Sequence, residues 1–150
     1  MKTVIDLGLD NQSIKLLEEY VKRFGKTLIP RTEFHSTVYF SREDHICRDD
    51  ASILYIKERL PIELNRDSYS LDVFGNNNLV LKYENDYVTE IEMFLRKRKN
   101  GNPNFSNEYS SFSPHITLGK NFNKDNLKFS LFLLNEKILF DSFSWTFKEE

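Results

Sequence analysis

The feature that most constrains this chain is a short pattern, a histidine followed two residues later by a threonine, which occurs twice inside strand-like runs. The two pairs are His35 with Thr37 and His115 with Thr117. Side chains two positions apart in a β-strand point to the same face, so each run presents an imidazole beside a hydroxyl. We expect two such strands, brought together, to line one cleft with two acid-base groups and two hydroxyl donors.

This set of groups suits phosphoester cleavage. An ordinary histidine pKa near 6.5 leaves both protonation states accessible, so one imidazole can act as base and the other as acid. The threonine hydroxyls, together with Lys120, would stabilise charge on the non-bridging phosphate oxygens. A single histidine in a strand more often has a structural role, so the prediction of catalysis depends on the occurrence of the motif in two strands. No metal is expected, although the two histidines with Glu33 could in principle hold one.

Composition narrows the class of protein. The chain has 150 residues, of which 39% are hydrophobic and 14% aromatic, and this predicts a single folded domain, residues 1–150, rather than a disordered chain. The net charge of −2 argues against a protein that coats duplex DNA and leaves room for a small anionic ligand. One cysteine, Cys47, and an N-terminal stretch without a long apolar run predict a cytoplasmic location, with no membrane contact and no intrachain disulfide. A monomer is expected, although the sequence does not decide the oligomeric state.

Hydrophobic periodicity predicts an α+β protein. Gly75, followed by three asparagines, is typical of a hairpin turn, and Asp10 is a candidate helix cap. We could not decide between strand and helix for residues 127–134. The predicted strands cover residues 3–7, 34–40, 69–74, 79–83, a run around His115 and 138–147, and the predicted helices cover 11–24, 49 or 50 to 60, and 86–99.

Strict alternation also predicts which side chains reach the cleft. It places Tyr39 on the same face as His35 and Thr37. Tyr39 and Trp145 are the candidates for stacking on a nucleotide base, with a core position an equal interpretation of Trp145. The basic run 96–99 is interpreted as a solvated helix end and His45 as a surface residue, and the loop 100–109 is a candidate lid.

The sequence around the second histidine resembles the motif of a known protein family. The run from Phe112 to Lys120, with its proline before the histidine and its closing lysine, is very similar to the second motif of LigT-type RNA 2′,3′-cyclic phosphodiesterases, which are 2H phosphoesterases. The resemblance covers residues 34–120. It implies two pseudo-symmetric αβ lobes with antiparallel sheets flanking a central cleft, catalytic roles for the two histidines and two threonines, and no cofactor. Ser36 departs from the family's usual apolar residue and is expected to face away from substrate.

Small bacteriophage members of this family, the anti-CBASS nucleases, resemble the chain in size and composition. The resemblance implies a metal-independent phosphodiesterase that cleaves 3′-5′ linkages of cyclic oligonucleotide immune signals in the host cytoplasm. Two alternatives stay open. One is an enzyme acting on RNA ends, as a 2′,3′-cyclic phosphodiesterase or a 2′-5′ ligase. The other is a binding protein that sequesters a nucleotide without cleaving it.

Overall fold

The computed structural model describes residues 2–25, 27–31, 33–41, 50–97, 112–129, 134 and 136–148. Within these ranges the chain forms three α-helices and two four-stranded antiparallel sheets, so the predicted α+β class is confirmed. The helices are α1 (Asn11–Val21), α2 (Asp50–Arg59) and α3 (Asp86–Arg96). The strands are β1 (Lys2–Leu9), β2 (Ile29–Pro30), β3 (His35–Ser41), β4 (Ile62–Glu63), β5 (Ser70–Phe74), β6 (Asn78–Lys82), β7 (His115–Lys120) and β8 (Leu139–Lys148).

The two histidine strands lie in different sheets. The first sheet has the order β3-β1-β8-β4 and carries His35, whereas the second has the order β2-β7-β6-β5 and carries His115. β3 also contacts β7, so the sheets meet at the motif strands. Buried side chains from both sheets and from all three helices belong to one hydrophobic cluster. The predicted order between the motifs, with a helix, a hairpin and a helix separating the two histidine strands, is confirmed.

Helix caps and the hairpin follow local sequence chemistry. Asp10 Oδ1 accepts a hydrogen bond from the Ser13 amide at 2.8 Å, as predicted for the cap of α1. The cap of α3 is Asn85, whose Oδ1 accepts from the Val88 amide at 3.1 Å, and the helix begins at Asp86, as predicted. β5 and β6 pair across a turn in which Gly75 has a φ of 54° and Asn77 one of 63°.

Each histidine strand contains a β-bulge one residue after its threonine. In the β1-β3 pair, Ile5 faces Tyr39 and Asp6 faces Thr37, so Val38 is an extra residue on β3. In the β6-β7 pair, Leu79 faces Gly119 and Val80 faces Thr117, and Leu118 is the extra residue on β7. A bulge resets the alternation of faces beyond it. The residue five positions after each histidine, Phe40 or Lys120, therefore lies on the histidine's side of the sheet.

Several elements differ from the sequence-based expectation. The segment before Pro30, predicted as loop, contributes the two-residue β2 that pairs with β7, and β4 was not predicted. Residues 124–129 form a 3-10 helix, so the undecided stretch begins in that helix. The candidate lid at 100–109, His45, Cys47 and the basic residues 98 and 99 lie outside the described residues. Within the described part of the chain, the helices are too short or too polar to cross a bilayer.

Candidate active site

Both motif strands contribute to one cleft between the two sheets. A cavity of about 410 Å³ is bounded by Thr37 of β3 and by His115 and Thr117 of β7. His35 lies two residues before Thr37 on β3, and the hydroxyl of Ser36, the residue between them, donates to the His115 carbonyl at 2.9 Å, so the two motifs meet at this cleft. The other lining residues described are Val4, Phe40, Phe74, Gly75, Asn78, Val80, Phe112 and Ser113.

His115 is held in an apolar setting. Its Nδ1 donates a hydrogen bond to the Ser113 carbonyl at 2.8 Å, which leaves Nε2 as the nitrogen available for proton transfer. Phe74 packs edge-to-face on the ring, with the centroids 4.8 Å apart. Burial lowers the pKa of His115 below its usual 6.5, the hydrogen bond to Ser113 opposes this, and the nearby charges of His35 and Arg31 lower it further. His115 is therefore predominantly neutral at pH 7.

His35 has the same local geometry and charged surroundings. Its Nδ1 lies 3.3 Å from the Glu33 carbonyl, so each motif histidine is oriented by the carbonyl two residues before it. Its Nε2 lies 3.3 Å from Nη2 of Arg31 and 3.8 Å from Oδ1 of Asp6. The neutral ring can accept from the guanidinium, and the protonated ring can interact with the carboxylate. Either protonation state of His35 thus has a partner.

Asp6 and Arg31 were not predicted as site residues. Asp6 is on β1, beside β3, and its Oδ1 accepts a 2.6 Å hydrogen bond from the Thr37 hydroxyl, so the only proton of that hydroxyl points to Asp6. A carboxylate inside the apolar run of β1 was the available sequence signal. Arg31 follows a proline in a segment predicted as loop, and its position depends on backbone pairing with β7 that no local pattern specifies.

Ser36 links the two motifs. It is buried, and its hydroxyl donates to the His115 carbonyl oxygen at 2.9 Å. The Tyr83 hydroxyl lies 2.6 Å from the same Ser36 oxygen and must donate, because the single serine proton is already used. Burial raises the pKa of Tyr83, so its phenol stays protonated and remains a donor. The residue that departs from the family pattern does face away from the cleft, and it ties the first histidine strand to the second.

Tyr39 and Trp145 do not lie in the cleft, and their predicted position beside the substrate is wrong. Tyr39 is fully buried, because the extra residue Val38 turns it to the core and turns Phe40 to the cleft. Trp145 is 7% exposed and pairs with the buried Ile5, on the face of the first sheet opposite to Asp6. The core interpretation of Trp145 agrees with this burial. The aromatic side chains that line the cleft are Phe40, Phe74 and Phe112.

Lys120 lines a second cavity that adjoins the first. This cavity has a volume of about 390 Å³ and shares Asn78 and Thr117 with the cleft described above. Lys120 is exposed, and the bulge at Leu118 places it on the same face of β7 as Thr117. Arg31 lines the same cavity, as do Ile29, Pro30, Glu33 and Gly119.

In the described ranges, no three histidine, cysteine, aspartate or glutamate side chains gather at a spacing that would hold a metal ion. No family model matches the sequence, and a search of curated proteins finds no similar chain. Interpretation of the site therefore depends on its geometry and chemistry.

Proposed function

We propose that this protein is a phosphodiesterase in which His35 and His115 form a general acid-base pair. The observation that carries the proposal is that Thr37 of one sheet and His115 and Thr117 of the other line one cavity, and that a hydrogen bond from Ser36, beside His35, to the His115 carbonyl joins the two motifs. In each pair a backbone carbonyl engages Nδ1, so that Nε2 is the nitrogen for proton transfer; in His35 this nitrogen also lies 3.3 Å from the Arg31 guanidinium. Proton transfer by a positioned histidine typically contributes on the order of 10² to 10⁴ in rate.

The surroundings support different roles for the two rings. His115 serves as the base, because its lowered pKa keeps the imidazole neutral, and takes the proton of a ribose 2′-hydroxyl. The 2′-oxygen then attacks phosphorus, the bond to the 5′-oxygen breaks, and protonated His35 donates its proton to that leaving oxygen. The product is a 2′,3′-cyclic phosphate. Water opens this ring with the two histidines in reversed roles and leaves a 3′-phosphate.

The negative charge that develops on the non-bridging oxygens needs donors within the cleft. Thr117 faces both cavities, and the Arg31 guanidinium lies next to His35. Thr37 donates to Asp6, so its role is to hold Asp6 beside His35 until substrate competes for its proton. No step of this mechanism requires a metal ion.

The fold supports membership of the 2H phosphoesterases, with two pseudo-symmetric lobes. Each sheet supplies one motif strand, and each motif strand has its bulge at the same position relative to its histidine. The agreement extends to the orienting carbonyl two residues before each ring. These shared local features, in two strands of different sequence, support the proposed pseudo-symmetry of the two halves.

We propose cyclic oligonucleotide immune signals with 3′-5′ linkages as the substrate, as in the anti-CBASS enzymes of bacteriophages. The cleft volume falls in the range of about 300 to 1,000 Å³ typical of small-molecule sites. Phe40, Phe74 and Phe112 provide aromatic surface for a base, and each base stack is worth on the order of 1 to 3 kcal/mol.

The experiment is incubation of the protein with cyclic GMP-AMP, cyclic triadenylate and an RNA 2′,3′-cyclic phosphate, with and without EDTA. Product ends are then identified by mass spectrometry. Cleavage of a cyclic substrate to 3′-phosphate ends, unaffected by EDTA, is the expected result. Activity on the RNA end alone would favour the RNA-processing alternative, and binding without cleavage would favour a sequestering protein. Loss of activity in EDTA would contradict the metal-free mechanism.

A further inference from the structure

The cleft continues beyond the histidines into a region of different chemistry. The cavity at His115 has three phenylalanines in its lining, whereas the adjoining cavity has two cations, Arg31 and Lys120. Glu33 also lines the adjoining cavity, so the charges of Arg31, Lys120 and Glu33 sum to one net positive charge. Asn78 and Thr117 belong to both linings and join the two regions.

Arg31 is fixed at the boundary between these regions. Its Nε donates to the Glu33 carbonyl at 3.2 Å, and the same carbonyl engages Nδ1 of His35 at 3.3 Å. Its backbone amide donates to the carbonyl of Leu118, the bulge residue of β7, at 2.9 Å. The guanidinium is therefore held beside the acid-base pair by contacts to both halves of the cleft.

Lys120 lies further along β7 than His115 and Thr117. It follows Thr117 by three residues, and because the bulge at Leu118 matches this stretch to two residue steps of β6, the separation is roughly 7 Å along the strand. It does not appear among the described residues that line the cavity of Thr37 and His115. Because the bulge at Leu118 keeps it on the cleft face, Lys120 lines the adjoining cavity rather than the cavity at His115.

We propose that Arg31, Asn78 and Lys120 form a subsite for a second phosphate, one nucleotide away from the phosphate that is cleaved. This inference rests on the proposed phosphodiesterase function and specifies its substrate class as a nucleotide with at least two phosphodiester groups. Arg31 faces both phosphates, Lys120 neutralises the second, and the Asn78 amide donates to it. A substrate with a single phosphate leaves this cation-lined cavity empty.

The test compares a substrate with one phosphodiester, adenylyl-(3′-5′)-adenosine, with cyclic di-AMP, which has two. Wild type is compared with Lys120→Gln, which keeps the chain length and removes the charge. The ratio of kcat/KM for cyclic di-AMP to that for the single-phosphate substrate should fall about fivefold, the upper end of the effect of losing one exposed charge contact. The matched control is Lys15→Gln, because Lys15 is exposed on α1 away from both cavities, and its ratio should equal that of wild type.

Salt dependence gives a second readout that a purely structural role would not alter. Each phosphate neutralised on a single strand contributes about −0.7 to the slope of log affinity against log salt. The slope for kcat/KM of cyclic di-AMP should therefore become less steep by about 0.7 in Lys120→Gln. Glu33→Gln removes the opposing carboxylate and should raise the ratio. A ratio within twofold of wild type in Lys120→Gln, or an unchanged slope, would overturn the second-phosphate subsite.

Failure of the proposed function is distinguished by a binding measurement. The 2′-deoxy forms of both probes lack the attacking hydroxyl, and their Kd values are measured by calorimetry for the same variants. If wild type cleaves neither ribose substrate, the phosphodiesterase proposal fails, yet tighter binding of the cyclic probe that depends on Lys120 still supports the subsite. Equal affinity of Lys120→Gln and wild type for the cyclic deoxy probe would overturn the subsite alone.

Discussion

On β3, the ring of His35 lies 3.8 Å from a carboxylate and 3.3 Å from a guanidinium, whereas on β7 the ring of His115 packs edge-on against Phe74. The backbone contacts of the two rings are alike, since each Nδ1 faces the carbonyl two residues before it. The same short motif thus orients an imidazole ring in each of the two strands. The neighbours contributed by other strands then decide what each imidazole does with its proton.

The largest expected effect comes from removal of either ring. His35→Ala and His115→Ala should each lower kcat by about 10² to 10⁴, the usual contribution of one acid or base. The double variant should lose little more than the worse single variant, because groups that act as a unit are not additive. Single-turnover rates give the effect, and circular dichroism checks that the fold is intact. Full activity in either single variant would refute the paired assignment.

The second-largest effect is expected from removal of the charge of Asp6, which lies beside His35. Asp6→Asn keeps the shape of the side chain and removes the charge that faces His35 and accepts from Thr37. A charge-assisted hydrogen bond is worth about 1.5 to 3 kcal/mol, so kcat should fall about tenfold to a hundredfold with little change in KM.

Ser144→Ala is the matched control for this substitution. Ser144 pairs with Asp6 from the opposite side of β1, is exposed, and is not one of the cleft-lining residues described. Its steady-state parameters should match those of wild type. A similar loss of kcat in both variants would assign the effect of Asp6→Asn to the strand rather than to the carboxylate.

The third, smaller effect is a loss of stability on removal of the Ser36 hydrogen bonds, which join the first histidine strand to the second. Ser36→Ala leaves the His115 carbonyl and the Tyr83 phenol buried without this partner, which should cost about 1 to 3 kcal/mol of unfolding free energy. Urea denaturation measures the loss. If the contacts act as one network, adding Tyr83→Phe to Ser36→Ala should cost much less than Tyr83→Phe does in the wild type. Additive losses would contradict a network.

The smallest effect is a pH dependence. Since burial lowers the pKa of folded His115, the unfolded chain binds more protons from pH 6.5 down through that lower pKa. Stability should fall as the pH drops through this window. His115→Gln should flatten the stability slope there, as measured by urea denaturation at several pH values. An unchanged slope would contradict the burial of this ring.

Local chemistry in the sequence predicted much of the fold. The hairpin at Gly75 and the cap at Asp10 depend on neighbours within three residues, and both were predicted correctly. The His-x-Thr repeat likewise predicted two strands with paired side chains. What could not be predicted depends on partners far along the chain. Ser36 meets Tyr83 across 47 residues, and two-residue strands such as β2 have too few positions to show a period.

The bulges explain the most consequential errors. A single extra residue after Thr37 exchanges Tyr39 for Phe40 in the cleft, and strict alternation cannot anticipate it. The same shift in β7 decides on which side Lys120 lies. Whether a strand gains an extra residue depends on its pairing with neighbours, which is tertiary information.

The residues at equivalent positions after the two bulges are placed to affect ligand selectivity rather than the orientation of the histidines. Phe40 and Lys120 each stand five residues after a histidine, on the cleft side, and neither takes part in the hydrogen bonds that orient the rings. Substitution at these two positions can therefore change which ligand is preferred while the proton-transfer machinery is left in place. Under the proposed function, a preference for one nucleotide over another could thus be changed through two side chains, without altering the hydrogen bonds that orient the histidines.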